Sequence, residues 1–84
     1  MKMEKELRDI TLQRARSYVA QLTGASATAG GYSGPDWRID LTELEPLRIG
    51  PMEFMRVRFV LHADASIAAR VWQELMPRFL RGGA

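Results

Sequence analysis

The chain contains no cysteine and a single histidine, His62, in 84 residues. The first absence excludes disulfide staples, thiolate metal sites and cysteine nucleophiles. The second excludes any site that needs two imidazoles. No apolar run approaches the roughly 18 residues of a membrane span, and the opening Met1-Lys2-Met3-Glu4-Lys5 lacks the apolar stretch of a secretory signal. The expectation is a cytoplasmic protein with no membrane contact. No Gly-rich phosphate loop is present either. Gly24, Gly30, Gly31 and Gly34 do not follow a strand and open a helix at the spacing of a Walker or dinucleotide motif.

What remains is the composition of one small globular domain spanning 1–84: 46% apolar, 26% charged and 8% aromatic, with a net charge of +2. A chain this short buries only about 60% of the surface its unfolded form exposes, so its stability margin is thin. Charge is unevenly spread. Basic residues are in excess over 1–22 and 56–81, while Asp36, Asp40, Glu43, Glu45 and Glu53 make the middle acidic. An acidic centre between basic ends satisfies itself or a second copy before it satisfies a polyanion. Nucleic acid is therefore a disfavoured partner.

Residues 3–22 read as a helix. Met3, Leu7, Ile10, Ala15, Tyr18, Val19 and Leu22 project onto one broad face, and Gly24 is its natural stop. Residues 24–35 hold four of the seven glycines and Pro35, and read as a flexible loop that could alternatively supply a short strand. From Asp36 to Leu44, Trp37, Ile39 and Leu41 alternate with polar residues, as in a half-buried strand. Pro46, Gly50 and Pro51 mark an irregular turn. A second strand runs from Phe54 to His62. The last segment, 65–81, is helical and can be capped by Asp64 or Ser66. Its stripe of Ile67, Ala68, Val71, Trp72, Leu75, Met76, Phe79 and Leu80 is unbroken, with Pro77 expected to kink it and Gly82 and Gly83 to end it. The expected fold is α+β, a two-layer helix–strand–strand–helix unit with a small antiparallel sheet.

No constellation of catalytic groups appears. His62 has Asp64 and Ser66 near it in sequence, without the spacing of a triad. Glu43, Glu45 and Glu53 flank an exposed turn, and neither they nor any other carboxylates have calcium-loop spacing. The expectation is a non-enzymatic adaptor with no cofactor and no metal, acting through protein–protein contacts as a homodimer. The final helix has more apolar surface than two strands can cover. Trp72, Met76, Phe79 and Leu80 are thus the candidate contact residues, with Arg78 and Arg81 as their charged rim. Two alternatives stand beside this. One is a nucleic-acid module using Arg56, Arg58, Arg70 and Arg78. The other is an inhibitor of the phage type that masks a host protein.

Several strings carry a likeness to a known family: Leu22-Thr23-Gly24 closing a helix, Trp37-Arg38-Ile39 opening a strand, Glu43-Leu44, Arg48-Ile49 before Pro51, Leu61-His62-Ala63-Asp64, and Arg78-Phe79-Leu80-Arg81-Gly82. In these the chain resembles the gas vesicle protein O family. The resemblance implies a non-enzymatic assembly factor that contacts other vesicle proteins, and it brings no catalytic residues.

Overall fold

The computed structural model describes the backbone of residues 1–82 and side chains through Phe79. Its elements are β1 (Lys2–Arg8), α1 (Leu12–Ala20), β2 (Ser26–Ala27), β3 (Gly31–Gly34), β4 (Trp37–Ile49), β5 (Met52–Ala63) and α2 (Ala65–Gly82). The five strands form one antiparallel sheet in the order β1-β5-β4-β3-β2.

The α+β class and the antiparallel sheet agree with the sequence reading, whereas the helix–strand–strand–helix order does not. Residues 2–8 form an edge strand on β5 instead of the first turns of a helix, with Met3 opposite Leu61 and Leu7 opposite Val57. The helix begins only at Leu12. Asp9 takes a left-handed backbone (φ 61°) and its N–H donates to the Met55 carbonyl at 2.8 Å. Thr11 then caps α1, its Oγ1 accepting from the Arg14 N–H at 3.1 Å.

The segment 24–35, read as a loop, holds β2 and β3. Two glycines make that possible. A Cβ at Gly31 would strike the Ile39 carbonyl of β4, and one at Gly34 would strike the Trp37 indole, which lies over it. Trp37, Ile39, Leu41, Val57, Phe59 and Leu61 occupy alternate positions, so they share one face of the sheet. Ala15 and Val19 of α1 and Ala68, Val71 and Leu75 of α2 pack on that face and complete the core. Both helices therefore lie on the same side.

Pro77 sits within α2, which continues through it to Gly82, and its ring is exposed. The Asp64 carbonyl accepts from the Ala68 N–H at 2.8 Å as α2 begins.

Candidate interaction surface

The β4–β5 hairpin reaches beyond the body. β1 accompanies β5 only as far as Arg56, and β3 accompanies β4 only from Trp37 to Asp40. Past these points the two strands pair with each other alone, and the molecule is drawn out to 43 × 25 × 21 Å. A shift in register between Leu44 and Leu47 sets Glu45 and Pro46 of β4 against Met55 alone, a bulge of one extra residue.

The bulge decides which side chains face where. Before it, odd-numbered residues of β4 face the helices. After it, Leu47 lies opposite Phe54 and Ile49 opposite Met52. Phe54 and Met52 alternate in phase with Arg56, Arg58 and Val60, so they face away from the helices. Leu44, Leu47, Ile49, Met52 and Phe54 thereby form one apolar strip on the helix-free side of the ribbon. Ile49 is 59% exposed and Met52 57%. Arg48 and Glu53, on the other side of the ribbon, pair at 2.9 Å.

The strip continues into a charged field on the helix-free face of the sheet. Arg56 Nη1 meets Glu6 Oε1 at 3.0 Å, and Arg8 Nε meets Glu6 Oε2 at 2.7 Å. The bond from Arg8 holds the exposed Glu6 carboxyl below its ordinary value; desolvation opposes this and Arg56 reinforces it. Arg58 and Glu4 stand 3.9 Å apart. Asp40 is shared by His62 Nε2 at 3.3 Å and Arg38 Nε at 3.5 Å, while Val60 is nearly enclosed among these charges. The face carries Lys2, Arg8, Arg38, Arg56 and Arg58 against Glu4, Glu6 and Asp40, five cations to three carboxylates.

The residues singled out from sequence lie on the opposite side. Trp72, Met76 and Phe79 are half-buried and, with half-buried Leu7 and buried Ile10, line a groove of about 280 Å³ between β1 and α2. Phe59 lies 5.4 Å from Trp72 and 6.0 Å from Phe79, and Tyr18 meets Phe79 edge-on at 5.7 Å. A five-stranded sheet receives much of the stripe that two strands could not have covered. Arg78 turns to its own helix, with Nη1 3.3 Å from the Glu74 carbonyl. The side chains of Leu80 and Arg81, and all of Gly83, lie outside the described residues. Two of the arginines proposed for nucleic acid, Arg56 and Arg58, each have a glutamate partner. Among the described residues, no three acidic or histidine side chains gather as a metal site. No described helix is long and apolar enough to cross a membrane.

The ribbon strip escaped the sequence reading because its face depends on the bulge. The signal was Pro46 followed by Leu47 and Ile49, a break in alternation with apolar residues resuming in the other phase.

Comparison with protein-family models gives a match to the archaeal MoaD-like protein family over residues 3–84. The chain belongs to this family. The comparison with curated proteins gives no match. Membership in the MoaD-like family replaces the likeness to gas vesicle protein O, which is withdrawn together with the vesicle role it implied. The strings behind that likeness are mostly strand alternation and a basic–aromatic helix end. Such patterns arise wherever a half-buried strand or an amphipathic helix is needed.

Proposed function

We propose that this MoaD-like protein is a small, non-catalytic, sulfur-carrier-like protein that works by docking on other proteins through the helix-free face of its sheet. The observation that carries the reading is the apolar strip Leu44, Leu47, Ile49, Met52 and Phe54 on a ribbon with no helix over it. A two-stranded ribbon is marginal in water by itself and gains from a partner that covers it.

The partner in this reading is a different protein, not a second copy. Five side chains of this size offer on the order of 400 Å² per copy, so a symmetric contact would bury about 800 Å², less than stable dimers use. A small interface suits a carrier, which must leave one partner for the next. The surplus cations beside the strip favour a partner whose apolar groove has an acidic rim.

The chain's chemistry restricts how it could hold sulfur. With no cysteine there is no thiol to carry a persulfide. The group left is a carboxyl, in which one oxygen is replaced by sulfur to give a thiocarboxylate. A partner enzyme must first activate the chain's own carboxyl by bonding one oxygen to a leaving group. Sulfide-level sulfur from a donor protein then attacks the carbonyl; the C–S bond forms as the C–O bond to the leaving group breaks, and that group carries the oxygen away. Intact-mass measurement of the chain recovered from its native cells tests the reading. The expected result is a fraction heavier by the difference between sulfur and oxygen, placed on a carboxyl group by fragmentation. Recovery of the chain without that species from cells in which sulfur transfer is active contradicts it.

A further inference from the structure

A second surface, on the other side of the molecule and independent of the proposed docking face, is the outer edge of β1 with the groove behind it. The Met1 carbonyl accepts from the Ala63 N–H, and the Asp9 N–H donates to the Met55 carbonyl. In an antiparallel ladder both backbone groups of one residue point the same way. The odd-numbered residues of β1 therefore bond to β5, and Lys2, Glu4, Glu6 and Arg8 turn their N–H and C=O groups to the open edge. Met3, Lys5 and Leu7 face the helix side, where the groove floor is Leu7, Ile10, Trp72, Met76 and Phe79.

Lys5 is the decisive residue. Its Nζ lies 5.9 Å from the Trp72 ring centroid, and it has no carboxylate partner among the described residues. A charged residue pointing inward from an edge strand resists pairing with another apolar edge. It also resists a second copy of β1. In a symmetric antiparallel pair, Lys5 would meet Met3, Lys5 or Leu7, and none of these carries a negative charge.

We infer that the β1 edge binds an extended peptide as an added antiparallel strand, and that Lys5 selects one with an acidic residue opposite it. Lys5 stands at a site whose backbone is not bonded across the new pair, where facing side chains come closest. The peptide residue two places earlier lies opposite Leu7, over the aromatic groove, and must be large and apolar. The one two places later meets Met3. The recognised pattern is apolar–x–acidic–x–apolar, with backbone bonds giving affinity and the alternate side chains giving selectivity.

The probe is the synthetic peptide Ser-Ile-Thr-Glu-Thr-Val-Ser, with a control in which Lys replaces Glu. Titration into the isotope-labelled chain should shift the Glu4 and Glu6 backbone amides and the Trp72 indole, and slow exchange of those two amides. Lys5→Glu, a change at an exposed position, should weaken the Glu peptide by roughly five- to ten-fold and give preference to the Lys peptide. Three outcomes overturn the proposal: equal binding of both peptides by the unaltered chain, shifts confined to other strands, or no reversal in the Lys5→Glu protein. A dimer held through β1 in solution would also overturn it.

Discussion

Gly34 shows how far one missing methyl group can reach. The Trp37 indole lies where a Cβ at Gly34 would stand, and that indole closes one end of the core. Gly34→Ala is expected to force the ring aside and to destabilise the fold by about 1–3 kcal/mol, the usual cost of overpacking, read from the denaturant midpoint. Glu6 makes a separate statement about pH. Its carboxyl is held below its ordinary value by Arg8 and, after desolvation acts against it, by Arg56. A depressed folded-state value gives a contribution that is present above the ordinary carboxylate value and lost as pH falls through the lowered one. Glu6→Gln should therefore flatten the acid limb of stability against pH in that window. An unchanged acid limb would show that the bonds to Arg8 and Arg56 do not persist in solution.

Among the elements, α1 depends on its cap. Thr11 satisfies an N–H that would otherwise be free at the start of a helix of 9 residues. Thr11→Ala should cost about 0.5–2 kcal/mol, measurable by chemical denaturation. The ribbon should behave oppositely. Among the described residues, Ile49 and Met52 are the most exposed large apolar side chains after Met1. Their joint replacement by serine should shift stability by no more than about 1 kcal/mol, about 0.5 kcal/mol for each exposed site, because neither side chain belongs to the core.

The elements also explain what sequence could and could not show. The central strands and α2 were legible because their periods are long and unambiguous. Residues 2–8 were not. Met3 and Leu7 are four apart, and four is a separation that returns to the same face in a helix and in a strand. Lys5, which shares their strand face, reads as the polar side of a helix. Only Thr11, a capping residue set inside the supposed helix, pointed to a later start. The short strands β2 and β3 were hidden for a different reason. They rest on backbone pairing and on the tight fit of Gly31 and Gly34, which composition alone reports as a loop. Trp72, Met76 and Phe79 were correctly placed on one apolar stripe, but that stripe lines a groove against β1, a strand the sequence reading did not contain.

At the scale of the whole molecule, the fold keeps its two helices on one side of the sheet and leaves the other side free. The edges are protected against extension by a second copy. β1 carries the inward Lys5, β2 is two residues long, and the exposed part of β4 is broken by the bulge at Glu45 and Pro46. Sheet extension by a second copy is thus opposed at each edge, and the apolar strip on the ribbon stays open. The measurement that bears most directly on this account compares sulfur loading in native cells between the unaltered chain and the Ile49→Ser, Met52→Ser variant. If partners dock on the ribbon, the variant keeps its fold and its loaded fraction falls. A variant folded and loaded as fully as the unaltered chain would contradict the account.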